Sequence, residues 1–315
     1  MDKIIIYISN YNRIGGVETF VNNFIKRMNG YYDITLMYDN VDTVELLMRI
    51  FKYCDFEKIM VGKKYKCDYF ICASAWGYEP YNQIEAKRYI QMVHADYGYY
   101  IKGWNFNYNK HKKVTHHVCV GQLVAESFEK ATNLKCDAII YNLLDKEVVP
   151  VKKVKNKKLH LVTLSRLSGE KGFDRMVKFA EQIPCDYEWN VWGNISGIWA
   201  QAIIKKFSHL PKVKFNGITI KPYDEIAKAD YLVQLSDTEG YCYSVIEALQ
   251  MNTPCIITPF TSGNEQIKHK ENGYIIGFDV KNINFDEIIN EIPKVSSFVE
   301  NSTEQDWITF LNKIK

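Results

Sequence analysis

The sequence predicts an α/β protein of two domains, each a doubly wound parallel sheet. Short apolar runs alternate with stretches of helical periodicity along most of the chain. The alternation is interrupted near the middle by the polar, basic, proline-started segment PVKKVKNKK at 150–158, which reads as a linker. The length, 315 residues, fits two domains of ordinary size. The predicted divisions are a first domain at 1–150, a linker at 151–158, a second domain at 159–290 and a closing segment at 291–315.

The first domain opens with the apolar run Ile4–Ile8, a polar turn ending in Gly15-Gly16, and a helix with Phe20, Val21, Phe24, Ile25 and Met28 on one face. Strand, glycine turn, helix is the usual start of a parallel α/β domain. Further strands are expected at Ile34–Met37, Tyr69–Ala73, Ile90–Val93, Val118–Val120 and Ile139–Tyr141. After the linker the expected order is strand Leu159–Leu164, helix Phe173–Gln182, strand Tyr187–Trp192 and helix Trp199–Phe207. Strand Val213–Phe215, a short helix from Tyr223, strand Tyr231–Leu235, a helix from Ser244 and strand Cys255–Thr258 follow. Trp307, Phe310 and Leu311 share one face of a final helix. In such folds ligands bind at the strand C-termini, so loops after strands are where chemistry is sought.

Hydrophobic residues make up 47% and charged residues 24%, which excludes disordered and low-complexity architectures. No apolar run approaches the ~18 residues of a membrane span, and the N-terminus lacks the apolar core and cleavage site of a secretory signal. The eight cysteines show no C-x-x-C spacing and no histidine pair beside them. They read as core residues of a reduced, cytoplasmic protein. The net charge of +3 is too small for a nucleic-acid binder, but it is unevenly spread. Residues 1–157 carry 23 Lys+Arg against 17 Asp+Glu, the remainder 17 against 20.

Three segments carry the chemistry. In Asp237–Leu249, Glu239 lies in a loop after a strand and Glu247 in the first turn of a helix, with Gly240 allowing close backbone approach. Two readings of Glu247 are open, a ligand contact or the acidic member of a Ser244-x-x-Glu247 capping box. In Leu161–Phe173, Arg166 and Lys171 place two cations at a strand–loop–helix junction, suited to a diphosphate or simply solvated. Gly15-Gly16 ahead of the first helix either admits a phosphate or sugar to backbone N–H groups or serves a tight turn.

Together these motifs resemble the large retaining GT-B glycosyltransferase family numbered four, the glycosyl transferases group 1. The pattern is Gly15-Gly16-Val17-Glu18, then Ser165-Arg166-Leu167 through Lys171-Gly172, then Glu239-Gly240 through Glu247-Ala248. Tyr141-Asn142, Pro254, Gly263-Asn264-Glu265 and Asn272-Gly273 are supporting matches. The resemblance implies two Rossmann-like domains facing a cleft, and transfer of a hexose from a nucleotide-sugar, UDP-linked, to a glycan acceptor in surface or capsular polysaccharide assembly. It implies that Arg166 and Lys171 hold the donor diphosphate, Glu247 the ribose and Glu239 the transferred sugar. Gly15, Gly16, Gly240 and the backbone of Tyr241, Cys242, Tyr243 and Ser244 would complete the donor site. No Asp-x-Asp occurs, in keeping with a family that needs no divalent metal, and no cofactor is expected.

His94 follows a strand of the first domain and is similar to the family's cleft histidine near the anomeric centre. It is a catalytic candidate alongside Glu239, Arg166 and Lys171, or a hydrogen-bonded structural residue. Residues 97–117 hold six aromatics and four lysines with no acid. They suit a peripheral contact with a membrane carrying a lipid-linked acceptor, or a solvated loop with some buried aromatics. Lys102, Lys110, Lys112 and Lys113, with Tyr100, Trp104 and Phe106, are the expected contact. The turn Gly193-Asn194-Ile195-Ser196-Gly197 and the loop Gly240-Tyr241-Cys242-Tyr243 depart from the family's usual glycine spacing. A sugar-nucleotide epimerase and a non-catalytic subunit bound to a catalytic partner are the alternative readings.

Overall fold

The computed structural model describes all residues except 13–14, 49, 74–79, 105–107, 109, 151–157 and 296–299. The chain forms two compact units, Met1–Asp145 with Glu300–Lys315, and Lys146–Val299. Most of the expected linker lies outside the described residues.

The first unit holds a seven-stranded sheet: β1 (Lys3–Tyr11), β2 (Asp33–Val41), β3 (Asp55–Lys58), β4 (Tyr65–Cys72), β5 (Ile84–Val93), β6 (His116–Cys119) and β7 (Ala138–Ile139). Their order is β3-β2-β1-β4-β5-β6-β7, and every pairing is parallel. The second holds β8 (Leu159–Leu164), β9 (Tyr187–Trp192), β10 (Val213–Phe215), β11 (Tyr231–Gln234), β12 (Cys255–Ile257) and β13 (Gly273–Ile275). Here the order is β10-β9-β8-β11-β12-β13, again all parallel. A central strand such as β1 is covered on both faces, and Ile4–Ile8 are all buried. This is why its sequence is a continuous apolar run without alternation.

In each sheet the chain winds first to one side and then to the other. The reversal lies between β1 and β4 in the first sheet and between β8 and β11 in the second. At such a switch point the loops leaving the two strands diverge to opposite faces and open a crevice.

Two strands were not expected. β3 reads DFEK and is largely exposed at the sheet edge, so it carries no apolar signal. β13 has only three residues, at the opposite edge of the second sheet. β5 begins six residues before the expected strand because its first half alternates between buried and solvent-facing positions.

The chain tail corrects the expected division. Residues 291–295 stay with the second unit, but Glu300–Lys315 return to the first. The cause is a specific dock. Thr303 caps helix Glu304–Lys313 in a full capping box with Asp306. Trp307, fully buried, meets Phe24 edge-on at 5.0 Å and lies beside Phe20. Arg27 of helix Gly16–Met28 reaches Glu300 at 3.0 Å, Glu304 at 2.5 Å and the Leu144 carbonyl at 2.9 Å. Burial of an indole is worth several kcal/mol, and a buried guanidinium needs such partners.

Segment 97–117 buries some of its aromatics, one of its two readings. It contains helix Tyr97–Trp104, with Tyr97 buried edge-on against Phe128. Asp96 accepts from the Ser127 hydroxyl and the Tyr99 N–H at the start of that helix. Lys113 donates to the carbonyls of Tyr81 and Ile84 at 2.8 and 2.9 Å, so it is a structural cation. Phe106 and the Trp104 side chain lie outside the described set.

All eight cysteines are free thiols. Cys72, Cys119, Cys242 and Cys255 are buried, while Cys54, Cys67, Cys136 and Cys185 are half-buried, so only half of them are core residues.

Candidate active site

The second unit assembles its candidate residues at the β8/β11 switch point. After β8 the chain passes Arg166 and forms a short 3-10 turn, Gly169–Lys171, before helix Phe173–Gln182. The turn ends at Gly172 with φ +70°, and a Cβ there would lie 1.8 Å from the Leu235 carbonyl oxygen. Only glycine lets this backbone press against the end of β11. That approach brings Lys171 to Glu239. The ammonium lies 2.8 and 2.9 Å from the two carboxylate oxygens, with only 13% and 12% of the side chains exposed.

The pair sits in a polar cradle. Gln234 and the Ser236 hydroxyl donate to Glu239 at 3.1 and 2.7 Å. The Thr258 hydroxyl donates to the Ser236 carbonyl at 2.6 Å. Burial alone pushes the Lys171 ammonium down. The Glu239 carboxylate beside it outweighs burial and holds its pKa above the ordinary lysine value. Lys171 is therefore a fixed cation at any physiological pH. Burial, with the Glu239 charge, pushes the Cys242 thiol up to about 12, so it is no thiolate nucleophile.

Arg166 lies on the open side of this site with 63% of its side chain exposed, 3.4 Å from Glu170. Glu170 is itself held by the Ser168 hydroxyl at 2.7 Å. Helix Tyr243–Gln250 begins beside Glu239, with Gly240, Tyr241 and Cys242 buried ahead of it. Its N-cap is Cys242, and no side chain caps it. The Ser244–Glu247 capping box, one of the two readings of Glu247, is thus not formed, because Ser244 is already the second helical residue and its hydroxyl meets the Cys242 sulfur at 3.2 Å. The Cys242 backbone is occupied differently from expectation. Gln266 accepts from its N–H at 3.3 Å and donates to its carbonyl at 2.9 Å. The Val245 N–H is turned to the Cys242 sulfur, which leaves the Ser244 N–H as a first-turn donor without an intrahelical acceptor. Glu247, half-buried one turn on, accepts from the Tyr223 hydroxyl at 3.4 Å.

In the first unit, Gly15 caps helix Gly16–Met28 in an extended conformation, and the Glu18 carboxylate folds over it. His94 follows β5 and meets the Phe20 ring edge-on at 4.7 Å. The residue is partly exposed, but its Nε2 is buried and has no hydrogen-bond partner among the described residues. Gly15, Gly16 and His94 thus gather around one helix, and Arg166, Lys171, Glu239, Gly240 to Ser244 and Glu247 around another, each set in its own unit. Sequence reasoning missed Gln234, Ser236, Gln266 and Thr238. The first three position Glu239 and Cys242, and Thr238 has a buried hydroxyl without a partner among the described residues. The available signal was a cluster of polar residues at the end of an otherwise apolar strand.

Burial holds His94 down to about 3, and burial with nearby Lys110 holds His117 down to about 4. Both are neutral in the folded protein at pH 7. In the unfolded chain each takes a proton below about pH 6.5, so stability present above that value is lost as pH falls toward the folded pKa values. By pH 5 each histidine should cost about 2 kcal/mol. Urea unfolding near pH 7.5 and pH 5 checks this, and His94→Gln should remove roughly its share of the difference. An unchanged pH dependence in that variant would show that His94 titrates normally.

The profile of the glycosyl transferases group 1 matches residues 145–304, half of the chain. The chain belongs to that family. It is a glycosyltransferase of GT-B fold. Comparison with curated proteins returns no match at the level of sequence. Among solved structures, HepE of Anabaena in complex with UDP-glucose superposes with a TM-score of 0.73 at 13% identity, over 100% of this chain and 98% of that one. A variant of S. aureus TarM bound to Fondaparinux, alpha-GlcNAc-glycerol and UDP gives 0.73 at 12% identity, over 99% and 100%. The lipopolysaccharide outer core galactosyltransferase WaaB gives 0.60 at 15% identity, over 99% and 95%. At such identities the likeness is one of fold. No helix among the described residues is long and apolar enough to cross a membrane.

Proposed function

We propose that this glycosyltransferase moves a hexose from a UDP-linked donor to a glycan acceptor, with retention and without a divalent metal, in surface or capsular polysaccharide assembly. The observation that carries the reading is the buried Lys171–Glu239 pair at the switch point, beside the first turn of helix Tyr243–Gln250. In this reading the diphosphate lies between Arg166, Lys171 and the Ser244 N–H. Glu247 accepts from the ribose hydroxyls and Glu239 from hydroxyls of the sugar. The bond from the anomeric carbon to the phosphate oxygen breaks as the acceptor oxygen bonds to the same face. The acceptor's proton passes to the departing phosphate oxygen. Fixed cations suit this step because the charge they meet grows toward the transition state. His94, neutral and with an unpartnered buried Nε2, is the catalytic candidate of the first unit.

The UDP-glucose bound in the HepE crystal and the UDP bound in the TarM crystal support the choice of nucleotide, and the likeness to WaaB, a lipopolysaccharide outer core galactosyltransferase, supports a surface glycan as acceptor. The first unit takes the acceptor side, with a glycan or lipid-linked glycan as substrate. Eight free thiols fit a cytoplasmic setting. The test is a panel of nucleotide-sugars screened by thermal shift and then by release of free nucleotide. UDP-hexoses should stabilise the protein and release UDP. Stabilisation by GDP- or ADP-sugars alone would overturn the choice of donor.

A further inference from the structure

The outer edge of the second unit carries exposed apolar side chains to which the proposed transfer step assigns no role. Helix Ile198–Lys206 follows β9 through Gly197, and its first two residues, Ile198 and Trp199, are 87% and 84% exposed. Ile220, in the loop after β10, is 70% exposed. β9 and β10 are parallel neighbours with Val191 opposite Phe215, so both segments leave the same end of one sheet edge. They are joined there, since the Gly193 N–H donates to the Gly217 carbonyl at 2.8 Å. A bare indole with two bare isoleucines is an uncommon use of surface.

Two lysines beside them are left unpaired, among the described residues, by the ion pairs of this edge. From Trp189 to Tyr223 the chain has five lysines; Asp224 and Glu225 follow, the latter paired with Lys228. Lys206, Lys212 and Lys214 pair with Asp174, Asp186 and Glu188. Lys205, on the helix that carries Trp199, and Lys221, next to Ile220, are exposed. Exposed tryptophan and isoleucine flanked by lysine form the composition that lies at the boundary of headgroup and acyl chain.

We propose that this edge docks on an anionic phospholipid bilayer, with Ile198, Trp199 and Ile220 entering the interface and Lys205 and Lys221 on the headgroups. It goes beyond the transfer reaction and puts the membrane contact on the second unit, not on segment 97–117. The test is co-sedimentation of the full chain with vesicles of phosphatidylcholine containing about one third phosphatidylglycerol, and with phosphatidylcholine alone. Binding is expected to the anionic vesicles and to weaken with salt. Ile198→Ser with Trp199→Ser should weaken it about tenfold or more. Lys205→Gln with Lys221→Gln should weaken it on the order of twentyfold. Lys102→Gln, Lys110→Gln and Lys112→Gln together should leave it unchanged. Thermal unfolding of each variant establishes that it is folded. No binding to anionic vesicles at low salt overturns the proposal. So does full binding by the folded Ile198/Trp199 variant, or loss of binding only in the triple lysine variant.

Discussion

Replacing Lys171 with methionine should lower turnover about 100- to 1000-fold, the scale seen when one preorganised group is removed from a developing charge. Lys171 is suited to that effect because it is already desolvated, already charged and already held. Donor binding has no solvent shell to strip from it, and the low-dielectric surroundings magnify its attraction for the leaving diphosphate. The same burial complicates the variant, since removing the ammonium leaves the Glu239 carboxylate without its ion pair, and a broken buried pair typically costs 3–5 kcal/mol of stability. Arg166 separates the two effects. Its side chain is mostly exposed, so Arg166→Ala should keep the melting temperature while also cutting turnover by orders of magnitude. Steady-state kinetics beside thermal unfolding reads both. A folded Arg166→Ala enzyme of unchanged kcat/KM would remove Arg166 from the mechanism.

Glu247→Gln should weaken UDP binding by about tenfold to a hundredfold, because a charged acceptor on the ribose hydroxyls becomes a neutral one. Stability should change little. Glu247 is not the partner of Ser244 in a cap, as the helix starts at Tyr243 with Cys242 as its uncapped N-cap residue. The variant therefore has no capping role to lose. Isothermal titration with UDP decides the matter, and unchanged affinity would place Glu247 outside the nucleotide site.

Strands with both faces covered were legible because burial on two sides demands continuous apolar runs, as in Ile4–Ile8 and Tyr231–Gln234. Edge strands were not, since β3 needs no apolar residues and β13 is too short to show a period. The closing helix was visible as a helix from Trp307, Phe310 and Leu311. Its return to the first unit was hidden, because it depends on Arg27 meeting two glutamates more than 270 residues away. At the site, motif spacing identified Lys171 and Glu239 separately. Their union is a property of strand order, which sets β8 beside β11, and of Gly172, which lets the turn after β8 touch Leu235. The capping reading of Ser244 failed because local pattern cannot see that Gln266, from a later helix, fixes Cys242 and starts the helix one residue early.

The measurement that bears most directly on the account is nucleotide release from UDP-hexose by the wild-type chain, followed with and without a chelator of divalent metals. Slow release of UDP is expected, with water standing in for the acceptor, unaffected by the chelator and abolished in Lys171→Met. The freed sugar should carry the anomeric configuration of the donor when first observed by proton NMR. Absence of UDP binding and release across all UDP-hexoses, or release that stops when metal is withdrawn, would contradict it.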